Sequence, residues 1–161
     1  MMPFDLNHAY LMNALSNAGG YLAIGFAAIG SAYGAGVAGL AAISAWKKCY
    51  VQNRPAPFLL VALAGMPLSQ TIYGMILMML IKGGIEKALE SGNGIVPVFY
   101  LAMGIFAGLG FMFSSIFQGK AAAAGCDAFG ETNKGFTNYL TIAGIVETVA
   151  LFVLVFGIMV I

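Results

Sequence analysis

The segment NYLTIAGIVETVALFVLVFGIMVI, residues 138–161, contains a single acidic or basic side chain, that of Glu147. As an α-helix, this segment can cross a bilayer core of about 30 Å. A carboxylate at the centre of such a helix costs about 2.5–3.5 kcal/mol on insertion scales, so an intramembrane acid marks an ion or proton pathway by default. The alternative is a buried, neutral acid that bonds two helices. Glu147 is therefore the first candidate functional residue.

The composition of the whole chain is typical of an integral membrane protein. Hydrophobic residues make up 61% of the 161 residues, charged residues make up 8%, and the mean hydropathy is +0.93. These values exclude a soluble globular domain. Four apolar segments, about residues 18–46, 58–81, 95–129 and 138–161, are predicted to span the membrane. They lack the period-two alternation of membrane strands, so the predicted fold class is all-α.

The four spans predict two tandem helical hairpins, residues 1–90 and 91–161, that resemble a duplication. The first and third spans are rich in small residues, whereas the second and fourth are bulky. Placing Gln70 over Glu147 aligns the second span with the fourth. Gly30 and Gly34, like Gly104 and Gly108, are spaced four apart and so lie on one helix face, which favours close helix packing.

A glycine motif in the first span has the form of a nucleotide-binding loop. Residues 34–39, GAGVAG, match G-x-G-x-x-G. No predicted strand precedes them, and no acidic residue follows about 20 positions later, as a dinucleotide site requires. The glycines are therefore interpreted as packing residues.

Basic residues predict the orientation of the chain in the membrane. Lys47, Lys48 and Arg54 lie between the first two spans with no acidic residue nearby. The positive-inside rule places this loop in the cytoplasm. We therefore expect a multi-pass protein of the cell membrane with its third loop on the cytoplasmic side and both termini on the non-cytoplasmic side.

Polar residues of the second span form one stripe. Met66, Ser69, Gln70 and Tyr73 are spaced i, i+3, i+4 and i+7, which places them on one helix face. Pro67 lies within the stripe and removes a backbone donor, so a nearby carbonyl can turn toward a ligand. We expect this face to meet a single partner surface.

Counting along the second hairpin places Gln118 at the depth of Glu147. If the turn is centred between Thr132 and Asn133, Gln118 lies as many residues before the turn as Glu147 lies after it. The two side chains are therefore expected to face each other across the hairpin.

The resulting candidate site contains hard oxygen donors: the Met66 carbonyl, the Ser69 hydroxyl, the Gln70 and Gln118 amide oxygens and the Glu147 carboxylate. One negative charge with several neutral oxygens suits a monovalent alkali cation, because the bound complex is then neutral. A proton would need only a carboxyl group that can form a hydrogen bond. The remaining alternative is that the amides serve only to bond helices together.

Three motifs carry a resemblance that covers nearly the whole chain. MPLSQTIYG at residues 66–74, FQGKAAAAG at 117–125 and IVET at 145–148 resemble the proteolipid subunit K of V-type ATPases, which forms the membrane rotor ring. The similarity is greatest to the sodium-translocating bacterial type. The resemblance implies that Glu147, Gln118, Gln70, Ser69 and the Met66 carbonyl bind sodium. It also implies that Tyr73 donates a hydrogen bond to Glu147.

The same resemblance implies rotary ion transport without catalysis in this chain. Copies would form a homo-oligomeric ring in the lipid bilayer, each carrying one sodium ion, or alternatively one proton, past an Arg of a stator subunit. A central-stalk subunit would dock on the cytoplasmic loops, and no nucleic acid is expected as a partner. ATP chemistry would belong to other subunits. A small secondary transporter and a structural helix-packing protein are the alternatives from other classes.

Overall fold

The computed structural model describes residues 4–92, 94 and 96–161, with side chains from residue 10 onward. Within these residues the chain forms helices and no strand. The helices are α1 (Phe4–Val51), α2 (Leu60–Gly65), α3 (Ser69–Glu90), α4 (Pro97–Thr132) and α5 (Phe136–Val160), and a 3₁₀ turn at Met66–Leu68 joins α2 to α3. With α2 and α3 taken together, the described residues contain four helical segments that are long and apolar enough to cross a membrane. The predicted all-α membrane fold is confirmed.

The helices extend beyond the predicted apolar spans. α1 has 48 residues and, at about 1.5 Å per residue, is about 70 Å long, more than twice the thickness of a bilayer core. Apolarity marks the part of a helix that lies in lipid, whereas the helix itself continues until the backbone turns, here near Asn53 with φ 51°. The predicted start of the third span at Ile95 lies outside the described residues, and α4 is described from Pro97.

Glycines bring α1 and α4 into backbone contact. A Cβ added at Gly104 would overlap the carbonyl group of Gly19, and one added at Gly30 would lie 2.5 Å from the carbonyl oxygen of Met112. Gly34 has the same relation to the backbone of α4. The packing role is confirmed for Gly30, Gly34 and Gly104, and their partner is the first helix of the other hairpin. It is not confirmed for Gly36 and Gly39, where an added Cβ would meet no atom within 4 Å.

α3 and α5 pack against this central pair through a shared apolar cluster. Leu77 and Ile81 of α3, Phe111 of α4, and Ala150 and Leu154 of α5 are buried together. The cluster holds the polar stripe of α3 near the α4–α5 hairpin. This packing positions the candidate site.

The α1–α2 loop and the α4–α5 turn lie at the same end of the bundle. Lys48 Nζ is 2.8 Å from an oxygen of Asp127 and 3.0 Å from one of Glu131. Arg54 donates to the carbonyl oxygens of Gly130, at 3.2 Å, and Glu131, at 3.1 Å. That these two connections share one side is confirmed. The assignment of this side to the cytoplasm, and the division into units at residue 90, stay predictions.

Candidate functional site

Pro67 interrupts the second membrane segment at the candidate site. Because proline lacks an N–H group, the regular helical bonds cannot continue through it, and residues Met66–Leu68 form a 3₁₀ turn. The carbonyl oxygen of Met66 accepts from the Ser69 N–H and from the Ser69 hydroxyl at 3.1 Å. The predicted stripe therefore begins with a backbone oxygen and a side-chain oxygen in direct contact.

Glu147 lies between α3 and α4, and each of its carboxylate oxygens accepts one hydrogen bond. The Tyr73 hydroxyl donates to Oε1 at 2.6 Å, and Gln118 Nε2 donates to Oε2 at 3.0 Å. The contact between Gln118 and Glu147 confirms the equal depth that was predicted from the hairpin. Two donors from two helices hold the carboxylate in one orientation.

The two glutamines connect α3 to α4. Both side chains are fully buried. Gln70 Nε2 donates to Gln118 Oε1 at 2.8 Å, and Gln118 Nε2 donates to the Ala143 carbonyl at 3.2 Å in addition to Glu147. On its other side, Gln70 Oε1 lies 3.2 Å from the Ser69 hydroxyl, whose single hydrogen is shared between this oxygen and the Met66 carbonyl. A continuous set of hydrogen bonds therefore runs from Met66 to Glu147.

All six residues predicted from the sequence belong to this one network: Met66, Ser69, Gln70, Tyr73, Gln118 and Glu147. Their role as ion ligands stays a prediction. The amide oxygen of Gln118, predicted to face an ion, accepts from Gln70 here. An amide oxygen has two lone pairs, so Gln118 Oε1 can keep this hydrogen bond and still offer its second lone pair to a cation.

Two serines of α4 also belong to the site, and the sequence prediction missed them. The Ser114 hydroxyl accepts from Gln70 Nε2 at 3.3 Å and donates to the Val146 carbonyl at 3.0 Å. The Ser115 hydroxyl donates to the Pro67 carbonyl at 2.7 Å. Ser114 lies four residues before Gln118 and so on the same helix face, which is the signal that could have identified it.

The electrostatics of the site are those of one isolated carboxylate. Within the described part of the chain, no basic side chain lies within ion-pair distance of Glu147, and its two donors are neutral. The described residues also contain no group of three or more His, Cys, Asp or Glu side chains that could hold a metal ion. A cation held here would therefore have one anionic ligand, the Glu147 carboxylate, and its other ligands would be neutral oxygens.

The fold and the site together define a multi-pass helical membrane protein with one hydrogen-bonded carboxylate in its fourth span. Residues 101–160 match the family model of the ATP synthase C subunit. The match is a similarity to this family over the second hairpin, and the first hairpin lies outside the matched range. The matched range includes Ser114, Gln118 and Glu147. A comparison with curated proteins gave no match.

Proposed function

We propose that this chain is the rotor-ring subunit of a V-type ATPase or ATP synthase, and that each copy binds one sodium ion at Glu147. The observation that carries the proposal is the pair of hydrogen bonds from Tyr73 and Gln118 to a carboxylate in the interior of a membrane-length helix. Donors from two other helices orient both carboxylate oxygens. Such preorganisation suits a group that receives and releases a ligand.

A cation is favoured over a proton by the chemistry of the neighbouring groups. Both side chains that contact Glu147 act as donors, as an ionised carboxylate requires. An ionised carboxylate is costly inside a bilayer unless a positive charge accompanies it. A monovalent cation supplies that charge and leaves the complex neutral. Proton transport by the same ring is the alternative.

Oxygens suitable for coordination lie next to one another at the 3₁₀ turn. The Met66 carbonyl oxygen and the Ser69 hydroxyl are 3.1 Å apart, and the Ser69 hydroxyl and Gln70 Oε1 are 3.2 Å apart. Hard oxygens of this kind are the ligands that alkali and alkaline-earth cations prefer. We assign them, with Glu147 and the Gln118 amide oxygen, as the ligands of sodium.

Transport follows from the exchange of one positive charge for another. In the structure, Tyr73 and Gln118 hold Glu147 against α3 and α4. We call this the closed arrangement of the site. Release requires a second positive charge to compensate the carboxylate, and an Arg of a stator subunit would supply it. Large apolar side chains exposed on the helices, such as Phe106 and Phe152, would contact lipid or neighbouring copies in the ring. The end with the α1–α2 loop and the α4–α5 turn would face the central stalk.

Carbodiimide labelling of Glu147 in the purified, assembled protein tests the proposal. At fixed pH, sodium should protect Glu147 from labelling, and the same concentration of potassium should protect it much less. Equal labelling in the two salts would reject the sodium site and favour a proton carrier. Absence of any labelling at Glu147 would reject ion translocation through this carboxylate.

The Gln118→Ala variant tests whether Gln118 contributes to sodium binding in a ring that still assembles. This change removes the donor to Glu147 Oε2 and the acceptor of Gln70. Sodium protection should weaken by at least about tenfold, because a hydrogen bond to a charged group contributes about 1.5–3 kcal/mol. The assembled ring should remain. Unchanged protection in this variant would exclude Gln118 from the site.

A further inference from the structure

Ser114 joins the three helices that form the candidate site. It lies on α4 with 6% of its surface exposed. Its hydroxyl contacts the Gln70 amide of α3 and the backbone of α5 at Val146, the residue before Glu147. Because this hydroxyl accepts from Gln70 and donates to Val146, we expect it to contribute to the site through these groups.

The contacts of Ser114 leave one orientation for the Gln70 amide. A serine hydroxyl has a single hydrogen, and Ser114 donates it to the Val146 carbonyl at 3.0 Å. Toward Gln70 it therefore presents lone pairs alone, which accept an N–H group and repel an amide oxygen. Gln118 Oε1 also accepts from Gln70 Nε2. Both amide hydrogens of Gln70 are thus taken by α4.

The consequence is that Gln70 Oε1 points toward Ser69. The buried Gln70 side chain cannot exchange its amide oxygen and nitrogen without placing an oxygen against the Ser114 and Gln118 acceptors. With the amide fixed, Oε1 stays 3.2 Å from the Ser69 hydroxyl, which itself contacts the Met66 carbonyl. These are the oxygens that the proposed function assigns to sodium.

We propose that Ser114 is a positioning residue that fixes the Gln70 amide and thereby keeps its oxygen on the ion-binding side. This inference rests on the proposed function and deepens it. Ser114 itself touches no ion. Its effect passes through Gln70, so the effect must disappear when Gln70 has no amide.

A double-mutant cycle in the assembled protein tests this coupling. The sodium concentration that halves carbodiimide labelling of Glu147 is measured for Ser114→Ala, Gln70→Leu and the double variant. Ser114→Ala should raise that concentration about tenfold, because a buried amide hydrogen loses its acceptor. In the Gln70→Leu background, the same change should have no further effect. Ser114→Thr keeps the hydroxyl and should stay within about twofold of the natural protein.

Ser16→Ala is the matched control. Ser16 is also fully buried, but its hydroxyl bonds Met12 of its own helix at 2.8 Å, away from the site. This variant should leave sodium protection unchanged. The positioning role would be overturned if Ser114→Ala kept the sodium dependence of the natural protein. It would also be overturned if Ser114→Ala weakened sodium protection equally in the natural protein and in Gln70→Leu.

A second measurement separates this inference from the proposed function. The chain has three glutamines, Gln52, Gln70 and Gln118, so ¹⁵N-glutamine labelling gives a side-chain amide spectrum simple enough to assign. Hydrogen exchange at the Gln70 amide should be faster in Ser114→Ala than in Ser16→Ala, whether or not sodium binds. If sodium fails to protect the natural protein, the sodium site is rejected while faster exchange still supports the positioning role. Unchanged exchange at Gln70 overturns it.

Discussion

The contact between α1 and α4 predicts opposite effects for the same substitution at two glycines. In Gly104→Ala, the new methyl group would overlap the Gly19 carbonyl, and backbone atoms cannot move aside as a flexible side chain could. Overpacking of this kind costs about 1–3 kcal/mol. In Gly83→Ala on α3, no atom lies within 4 Å of the new methyl group. There the gain in helix propensity, about 0.5–1 kcal/mol, remains unopposed.

The difference between these variants is measurable as thermal stability. For a chain of this size, 1 kcal/mol corresponds to a shift of about 2–4 °C in the unfolding midpoint. We expect Gly104→Ala to lower the midpoint of the purified protein by about 2–12 °C and Gly83→Ala to raise it by about 1–4 °C. Circular-dichroism melting in one detergent gives both values. Equal shifts in the two variants, or no loss in Gly104→Ala, would refute the close approach of α1 and α4.

Three further predictions concern the site and the loop end. Tyr73→Phe removes the hydrogen bond from the Tyr73 hydroxyl to Glu147, so sodium should protect Glu147 from carbodiimide about tenfold less well. Unchanged protection would contradict the role of Tyr73. Asp127→Asn removes one exposed contact of Lys48, so the melting temperature should change little and not at all at high salt; a large loss in high salt would contradict this. Lys134→Cys in the α4–α5 turn should react with an impermeant thiol reagent from the cytoplasmic side, and reaction from the opposite side would invert the topology.

Much of the site could be predicted because helix geometry and charge leave few alternatives. The spacing of Ser69, Gln70 and Tyr73 fixed them on one face, and residue counts about a short turn placed Gln118 at the depth of Glu147. Both relations are local, and the structure reproduces them. Glu147 itself was identifiable because a lone carboxylate in an apolar helix is costly.

The rest depends on tertiary contacts that the sequence pattern does not encode. A serine in a membrane helix can bond its own backbone, as Ser16 does, so Ser114 carried no signal until its neighbours on α3 and α5 were known. The glycines of α1 indicated close helix packing, but the sequence did not show which helix would pack against them. The lengths of the helices also exceeded the predicted spans, because apolarity reports the lipid thickness and not the point at which a helix ends.

The central claim is that each chain holds one sodium ion at Glu147. The most direct measurement is equilibrium binding of radioactive sodium to the purified, assembled protein, expressed per chain and repeated for Glu147→Gln. The account predicts saturation at about one sodium ion per chain, since the described site contains a single carboxylate, and loss of that binding in Glu147→Gln. Absence of saturable sodium binding, or binding that persists in Glu147→Gln, would contradict the account.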